Sequence, residues 1–391
     1  MNDSSDKLSF VISALQERSI TGRLRSLRAF EPNLESASVL LDGSELINFC
    51  SNDYLGLSAH PDVILRSTDY LNKYGAGSGA SRLVSGTLSI HEQLEEKLAE
   101  TFGYESALLL NSGFQANTSV LSAVADRNSL ILIDKKAHNS LIQGAILSRA
   151  TLKRFNHNDT KHLEKLLEES ATKGYNRTWI VSETVFSMDG DRSNLNELIH
   201  LSNKYNSLLY IDDAHAIGVL GKQGKGLNYG HTEIDLGIGT FGKAFGSFGA
   251  FVGCSKEMKE YLINFCSGFV YSTSLPPAVI GALDAAVDLI PKMETQRALL
   301  FDNIKWVKEQ LQQLGYDTGN SASQIIPVII GSEEETLALA KFLEESGIWA
   351  SAIRPPTVEA GTSRIRITIT LKHSQEQINQ LLDAFTAWKN K

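Results

Sequence analysis

Cysteine is scarce in this chain of 391 residues, which contains only Cys50, Cys254 and Cys266. Their number is odd and none of their spacings is C-x-x-C, so the sequence supports neither a disulfide framework nor a zinc cluster. We therefore expect a protein of a reducing compartment that binds no metal.

The chain also lacks an excess of positive charge and any long apolar run. Its 37 lysines and arginines against 45 acidic residues give a formal charge of −8, whereas a general binder of nucleic acid or membrane surfaces needs a positive field. No run of about 18 apolar residues is present to span a bilayer. The N-terminus, MNDSSDKLSF, is polar and acidic, unlike a signal peptide. We expect a cytoplasmic protein without membrane or nucleic-acid partners.

Nothing in the composition indicates disorder or a fibrous protein. Apolar residues make up 42% and charged residues 21% of the chain, which is enough apolar volume for packed cores. At about 150 residues per domain, the length suggests two or three domains. We predict an N-terminal helix and hairpin over residues 1–45 that pack with the small domain, a large domain over 46–278 and a small C-terminal domain over 279–391.

Short apolar runs alternate with amphipathic helical patterns from about residue 88 onward. The apolar runs are typical of buried strands: SALLL, SLILID, TWIVSETV, SLLYIDD, LGIGTF and FGAFVGC. This alternation predicts an α/β fold with a mainly parallel sheet and helices on both faces. Two capping boxes, Ser89 with Glu92 and Ser374 with Gln377, predict where two helices begin.

After about residue 278, a long helical region leads to a smaller α+β set of elements. Within it, SRIRITITL alternates strictly, so its arginines and threonines share one face of a strand and its isoleucines the other. We predict that the isoleucine face is core and that the face with Arg364 and Arg366 is available.

A glycine-rich turn after a strand, GIGTFGK at residues 237–243, partly matches two nucleotide-binding motifs. A P-loop needs Ser or Thr after the lysine, but Ala244 stands there. A Rossmann fingerprint belongs to a first strand–helix unit, and this turn follows at least five strands. What remains is Lys243 on a turn at a strand end, and such a lysine is usually a surface cation.

Other polar residues fall at the same edge of the predicted sheet. Asp212 and Asp213 end one strand and precede His215, and His138 follows another strand. Open α/β sheets bind ligands at this edge. Gly113 lies between a strand and a helix, where free N–H groups and the helix dipole attract phosphate. A lysine, an aspartate, a histidine and a phosphate site together indicate pyridoxal phosphate.

A series of motifs identifies the chain as a member of a known family. In order, they are NFCSNDYLGL, GAGSGASRLVSG, HEQLEEKLA, NSGFQAN, ETVFSMDGD, DDAH, TFGKAFGSFGA, YSTSLPP and RIRITIT. From about residue 45 to the C-terminus they resemble the α-oxoamine synthases, pyridoxal-phosphate-dependent acyltransferases of the aspartate-aminotransferase fold, or fold type I. The resemblance implies a large domain with a seven-stranded, mainly parallel sheet, a smaller α+β domain and a homodimer.

The resemblance also implies roles for residues at the matching positions. Three residues would be catalytic: Lys243 as the Schiff-base lysine, Asp212 on the pyridine nitrogen and His138 stacked on the ring. The remaining cofactor contacts would come from Gly113, Phe114, Ser187, His215, Thr240 and, from the other subunit, Thr273. The substrates would contact His138, Arg25, Thr357 and Arg366, the last of which would hold the amino-acid carboxylate.

Enzymes of this family join an amino acid to an acyl thioester and release carbon dioxide. FNHND at 155–159 and AIRPPTV at 352–358 most resemble the branch that joins L-alanine to a pimeloyl thioester of coenzyme A or acyl carrier protein in biotin synthesis. One alternative is another branch, for example the ligase that makes 2-amino-3-oxobutyrate from glycine and acetyl-CoA. A second is a non-catalytic partner subunit, against which the presence of Lys243, Asp212 and His138 argues.

Overall fold

The computed structural model describes residues 7–391. Residues 1–6 lie outside the described residues. They belong to the segment that argues against a signal peptide and to the predicted N-terminal unit. The described α-helices are α1 (Ser9–Ile20), α2 (Pro61–Tyr74), α3 (Ser89–Phe102), α4 (Gly113–Val124), α5 (Asn139–Ser148), α6 (Thr160–Ser170), α7 (Leu195–Lys204), α8 (Lys256–Phe265), α9 (Ser267–Val270), α10 (Pro277–Leu289), α11 (Glu294–Gln313), α12 (Glu333–Glu345) and α13 (Gln375–Lys389). None of the helices within residues 7–391 has the length and apolarity needed to cross a membrane.

The strands complete the inventory. They are β1 (Phe30–Pro32), β2 (Ser38–Leu41), β3 (Ser44–Asn48), β4 (Ser106–Leu110), β5 (Ser129–Asp134), β6 (Thr151–Phe155), β7 (Arg177–Glu183), β8 (Leu208–Asp212), β9 (Leu236–Thr240), β10 (Ala250–Cys254), β11 (Ile325–Gly331), β12 (Ile348–Trp349), β13 (Ser351–Ile353) and β14 (Ser363–Thr368).

A seven-stranded sheet in the order β4-β10-β9-β8-β7-β5-β6 forms the centre of the molecule. The strands from β9 to β6 in this order are parallel to their neighbours, whereas β10 is antiparallel to both β9 and β4. Parallel strands covered on both faces read as continuous apolar runs, and β5 is buried at every position. The predicted α/β fold with a mainly parallel, seven-stranded sheet is confirmed.

Helices cover both faces of this sheet. In β5, Ile131 and Ile133 pack in a cluster with residues of α4 and α5, whereas Leu130 and Leu132 pack with residues of α6 and α7. Because side chains alternate across a strand, each central strand contributes to two cores. Four of the parallel strands end in a polar residue at their carboxyl end: Asp134, Glu183, Asp212 and Thr240.

Two smaller sheets involve the C-terminal elements. One has the order β11-β14-β13, and the other joins the N-terminal strands to β12 in the order β1-β2-β3-β12. The hairpin between β2 and β3 turns at Asp42 and Gly43, whose φ angles of 51° and 81° are typical of a two-residue hairpin turn. The predicted domain boundaries at residues 45 and 278 stay predictions.

The alternating segment of β14 does not present an open face. All six of its residues are buried, because its polar face packs against the loop after β7. Arg366 Nε donates to the Ser187 carbonyl at 2.7 Å, and Arg364 Nη1 donates to Asp189 Oδ1 at 2.6 Å. The alternation therefore separates an apolar core face from a buried polar face, and the prediction of an available face is wrong.

Two local features also differ from expectation. The predicted capping box of Ser89 with Glu92 is not the one at the start of α3. Ser89 is already the first residue of the helix and Leu88 is its N-cap, and the Leu88 N–H donates to His91 Nδ1 at 3.1 Å. Strand β6 has only one buried residue, so the search for apolar runs misses it. The capping box of Ser374 and Gln377 is present as predicted.

A buried carboxylate, Glu95 of α3, connects this helix to the sheet. Glu95 is 2% exposed, and its Oε1 accepts from the Leu109 N–H at 2.9 Å and from Arg82 Nη1 at 2.7 Å. Its Oε2 accepts from Lys259 Nζ at 3.0 Å. Each carboxylate oxygen therefore has a charged partner, which a buried ion requires.

We expect Glu95→Ala to destabilise the protein strongly, because it leaves the buried Arg82 guanidinium and the Leu109 N–H without this acceptor. Removing one partner of a buried ion pair costs about 3–5 kcal/mol, and urea unfolding measures the loss. The matched control is Glu96→Ala, at an exposed position of the same helix, for which a change below about 0.5 kcal/mol is expected. Equal losses for the two variants would contradict the assignment of Glu95 as a buried anchor.

Candidate functional site

A cavity of about 230 Å³ lies at the carboxyl ends of the parallel strands. Seven of the residues predicted for the site line it: Gly113, Phe114, His138, Asp212, His215, Thr240 and Lys243. They come from strand ends and from the helix starts that follow them, so the topology of the sheet brings them together. Their convergence is observed, and their individual roles stay predictions.

One wall of the cavity presents hydrogen-bond donors that have no acceptor. Helix α4 begins at Gly113, after the N-cap Ser112, whose Oγ accepts from the Gln115 N–H at 3.1 Å. Among the described residues, the Gly113 and Phe114 N–H groups have no partner, and neither has the buried hydroxyl of Thr240. Free N–H groups at a helix N-terminus attract anions, so this wall suits a phosphate.

The wall depends on glycine at residue 113. A Cβ built on Gly113 would lie 2.4 Å from Thr240 Cγ2, closer than van der Waals contact allows. Any side chain here would push the start of α4 away from β9. The glycine is therefore needed to keep the free N–H groups and the Thr240 hydroxyl on one wall.

Asp212 contributes a carboxylate whose orientation is fixed. The side chain is buried at the end of β8, and its Oδ2 accepts from Asn117 Nδ2 at 2.7 Å. Its Oδ1 accepts from the Ala214 N–H at 2.9 Å. Asn117 Oδ1 in turn accepts from the Tyr210 hydroxyl at 2.9 Å. Asn117 also lines the cavity, and it was missed although it belongs to the NSGFQAN motif.

The second aspartate of the pair, Asp213, serves the scaffold instead. Its Oδ1 accepts from Thr184 Oγ1 at 2.6 Å, and its Oδ2 accepts from the Leu227 N–H at 3.1 Å. Burial raises the pKa of Asp213 to about 7. Of the two adjacent carboxyl groups, only that of Asp212 belongs to the cavity lining described here.

Lys243 lies on the turn after β9 and shares the cavity with Asp212 and Glu183. Burial lowers the pKa of its ammonium group to about 8, against the opposing attraction of the two carboxyl groups. An amine that loses its proton near neutral pH can act as a nucleophile and as a base. The lysine on the glycine-rich turn is therefore in a chemically active environment and is not a free surface cation.

Glu183, the last residue of β7, is a cavity residue that the sequence analysis missed. It is buried, and its Oε1 accepts from the backbone N–H of His138 at 2.6 Å. Burial, together with the charge of Asp212, raises the pKa of Glu183 well above its ordinary value. Glu183 therefore fixes the backbone at His138 through this hydrogen bond.

His138 is the N-cap of α5 and presents its ring to the cavity lining. Its Nδ1 lies 2.7 Å from Ser140 Oγ and accepts from the Ser140 N–H at 3.2 Å. Burial lowers the pKa of His138, so its ring is neutral at neutral pH. A flat, neutral ring in a fixed position is suited to stacking on another ring.

Arg366 and Ser187, both predicted for the site, stand behind the cavity lining and not in it. The Ser187 carbonyl accepts from Arg366 Nε at 2.7 Å, and Arg366 Nη2 donates to Asn52 Oδ1 at 3.2 Å. Asn52 lines the cavity. The Ser187 carbonyl thus helps to orient Arg366 next to Asn52, and the contact of Ser187 with the cofactor stays a prediction.

The three remaining predicted residues lie elsewhere in the single chain. Arg25 and Thr357 contact each other, with 3.4 Å between Nη2 and Oγ1, at an exposed position. Thr273 lines a separate small cavity together with Gln115. The structure therefore brings Arg25 and Thr357 together but does not bring Thr273 to the main cavity of its own chain.

The sequence over residues 44–385 matches the aminotransferase class I and II family. The chain belongs to this family. A protein of Desulfosudis oleivorans, provisionally named 8-amino-7-oxononanoate synthase, is 49% identical over 383 residues, which are 98% of this chain and 99% of the relative. The 8-amino-7-oxononanoate synthase of Trichlorobacter lovleyi is 44% identical over 384 residues, and the alignment covers 97% of each protein.

Solved structures of related enzymes share the fold of this family member. One is a serine palmitoyltransferase variant of S. paucimobilis bound to an adduct of pyridoxal phosphate (PLP) and myriocin. It has a TM-score of 0.91 at 26% identity, and the alignment covers 99% of this chain and 98% of that chain. The 8-amino-7-oxononanoate synthase of Francisella tularensis has a TM-score of 0.77 at 27% identity, with 88% and 98% covered. The family assignment to the α-oxoamine synthases and the prediction of a PLP-dependent acyltransferase are confirmed.

A largely buried ion triad is centred on His157 of the FNHND segment. His157 Nδ1 lies 2.9 Å from Asp134 Oδ1, and Nε2 lies 2.8 Å from Asp191 Oδ2. Asp134 also accepts from the Lys136 N–H at 2.8 Å, so the triad fixes the loop that leads to His138. Burial opposes the charge of His157, but the two aspartates outweigh it and raise its pKa to about 9.

We expect protonated His157 to stabilise the fold in a pH-dependent way. Because its pKa is raised on folding, this contribution is complete below about pH 6.5, the ordinary value, and is lost as the pH rises through about 9. Urea unfolding should give a wild-type advantage over His157→Gln of about 2–4 kcal/mol near pH 6 that shrinks towards about pH 10. The exposed His200→Gln variant is the control. An advantage that does not change with pH would mean that His157 is neutral.

Proposed function

We propose that the chain joins L-alanine to a pimeloyl thioester with release of carbon dioxide, the 8-amino-7-oxononanoate synthase reaction of biotin synthesis. The acyl carrier would be coenzyme A or acyl carrier protein. The observation that carries the proposal is the convergence of Lys243, Asp212 and an anion site in one cavity, in a chain that is 44% identical over almost its whole length to a synthase of that name.

The cavity fits pyridoxal phosphate in its donor groups as well as in its position. The free N–H groups of Gly113 and Phe114 and the unpartnered Thr240 hydroxyl would bind the phosphate. Asp212 would bind the protonated pyridine nitrogen, and the ring of His138 would stack on the pyridine. When bound, the cofactor supplies an aldehyde carbon that reacts with amines and a ring that accepts electrons from the substrate.

Lys243 is the residue suited to move the Cα proton of the amino acid. Its pKa of about 8 means that about a tenth of the amine is neutral at pH 7, and this neutral form can accept a proton and later return it. The hydrogen bonds from Asn117 and Ala214 to Asp212 would keep the carboxylate aimed at the pyridine nitrogen throughout. His138, neutral and fixed by Glu183, is suited to contact the thioester oxygen.

Arg366 is the residue suited to bind the amino-acid carboxylate. Its Nε and Nη1 are engaged by the Ser187 carbonyl and by Thr368 Oγ1, at 2.7 Å and 2.9 Å, and these contacts fix the guanidinium plane. A fixed guanidinium orients a carboxylate, and the orientation decides which Cα bond can break. Asn52, which accepts from Arg366 Nη2, would share this task.

Arg25 and Thr357 are proposed to contact the far end of the acyl donor. They lie 332 residues apart in the sequence, and their side chains meet, while Arg354 Nη1 donates to the Gly22 carbonyl at 2.7 Å beside them. Two residues that the resemblance assigns to the substrate thus occur at one place on the surface. A cation there suits the carboxylate or ester that ends a seven-carbon acyl chain.

The expected products decide between branches of the family. With L-alanine and pimeloyl-CoA or pimeloyl acyl carrier protein, we expect the wild type to form 8-amino-7-oxononanoate, identified by mass, because the alanine and acyl groups meet at Lys243. Lys243→Ala should form none. Faster turnover of glycine with acetyl-CoA would replace this proposal by the 2-amino-3-oxobutyrate ligase alternative. Absence of product from every pair tried would favour a non-catalytic partner subunit.

A homodimer is part of the proposal. Several large apolar residues are exposed: Phe114 and Phe248, which line the cavity, are 51% and 55% exposed, and Val84 and Tyr271 are 79% and 85% exposed. A large exposed apolar area usually marks an interface, and a second copy would cover it. Thr273, two residues after Tyr271, would then reach the phosphate in the partner's cavity.

Mixing two inactive variants tests this arrangement. A heterodimer of Lys243→Ala and Thr273→Ala subunits contains one intact site if Thr273 acts in the partner, so statistical subunit exchange should restore about a quarter of wild-type activity. Thr240→Ala replaces Thr273→Ala in the control mixture, which should stay inactive because Thr240 and Lys243 line one cavity. With exchange verified, no recovery in the first mixture would place Thr273 in the site of its own chain.

A further inference from the structure

Tyr54 is a buried residue without an assigned role that lies between His215 and Asn52. It is 0% exposed, and its hydroxyl lies 2.6 Å from His215 Nδ1 and 3.2 Å from Asn52 Oδ1. Asn52 Oδ1 also accepts from Arg366 Nη2. Tyr54 therefore stands between the arginine of β14 and the histidine in the cavity wall.

The distances indicate where the single hydroxyl proton of Tyr54 goes. N–H···O bonds usually measure about 2.7–3.2 Å and O–H···O bonds about 2.5–3.0 Å. The 2.6 Å separation from His215 Nδ1 lies within the range of a hydroxyl donor and is the shorter of these two contacts of the hydroxyl. The 3.2 Å separation from Asn52 is long for a hydroxyl donor. The proton is therefore directed to His215, and Asn52 is left to accept from Arg366.

His215 is neutral, so the acceptor role of one nitrogen fixes the other. Burial, strengthened by the charges of Lys243 and Arg366, lowers the pKa of His215 well below its ordinary value. A neutral imidazole carries one N–H, and with Nδ1 as acceptor this N–H is at Nε2. His215 lines the cavity, and no hydrogen bond of its Nε2 is found among residues 7–391.

We propose that Tyr54 is a positioning residue that holds His215 as the Nε2–H tautomer and so provides a hydrogen-bond donor for a ligand oxygen in the cavity. The catalytic consequence rests on the proposed function: a donor stabilises a deprotonated phenolic oxygen on the bound cofactor, whereas a lone pair would repel it. Without the Tyr54 hydroxyl, Nδ1 is free to take the proton, and Nε2 becomes an acceptor.

Tyr54→Phe is a suitable test because the backbone around both rings is held independently of the hydroxyl. The Tyr54 carbonyl accepts from the Leu371 N–H at 3.0 Å, and the His215 carbonyl accepts from Gln324 Nε2 at 2.7 Å. The phenyl ring should therefore keep its place. Tyr104→Phe is the matched control, since the Tyr104 hydroxyl is buried beside Asn228 and away from the cavity lining.

The tautomer can be read directly from the imidazole ¹⁵N chemical shifts of the cofactor-free, full-length protein, with the His215 signals assigned by comparison with His215→Gln. We expect Nε2–H in the wild type and in the control Tyr104→Phe, and a shift towards Nδ1–H in Tyr54→Phe. An Nδ1–H signal in the wild type, or an unchanged tautomer in folded Tyr54→Phe, overturns the proposal. This measurement needs no turnover, so it stands apart from any failure of the proposed reaction.

Kinetics of the cofactor-loaded enzyme test the consequence for catalysis. One hydrogen bond to a charged oxygen corresponds to about a tenfold effect or more, so kcat of Tyr54→Phe should fall about tenfold. KM for the amino acid should change little, because Asn52 and Arg366 keep their contact. A parallel rise in KM with unchanged kcat, or a changed tautomer with wild-type kcat, would overturn the catalytic part.

Discussion

The placement of acids at the ends of buried parallel strands is the constraint on which the rest of the site depends. Three neighbouring strands, β8, β7 and β5, end in Asp212, Glu183 and Asp134, and a buried, uncompensated carboxylate is costly. Each acid has its own solution. Asp134 pairs with His157, and burial raises the pKa of Glu183, whose Oε1 accepts from the His138 N–H. Asp212 accepts from the neutral donors of Asn117 and Ala214, which orient it within the cavity.

The polar face of β14 is coupled to this edge by the segment that precedes α2. The Thr368 N–H donates to the Phe49 carbonyl at 2.9 Å and the Leu371 N–H to the Tyr54 carbonyl at 3.0 Å, so residues 49–54 follow the end of β14. Side chains from this segment then bridge outward, with Asn52 on Arg366 and Tyr54 on His215. Groups proposed for the amino-acid carboxylate and for the cofactor are thereby joined through two hydrogen bonds.

Sequence reasoning succeeds where one strand or one turn determines the answer. Apolar runs that end in polar residues predict both the parallel sheet and the edge at which Lys243 and Asp212 meet. It fails where the answer depends on what another segment covers. Nothing in the alternation of β14 shows that loop residues will bury its arginine face, and nothing local to Glu183 or Tyr54 shows that each will contact a histidine of the cavity.

Few positively charged side chains line the cavity, just as the whole chain has no excess of positive charge. In a chain of net charge −8, Lys243 is the one lysine or arginine among the described residues that line the cavity. The wall suited to phosphate consists of backbone N–H groups and a hydroxyl, which are dipoles and carry no net charge. His138 and His215 are neutral as well. Loss of a proton from Lys243 therefore changes the charge of the cavity without disturbing the donors that would hold an anion. Proton transfer at Lys243 and anion binding by the backbone N–H groups can thus proceed independently.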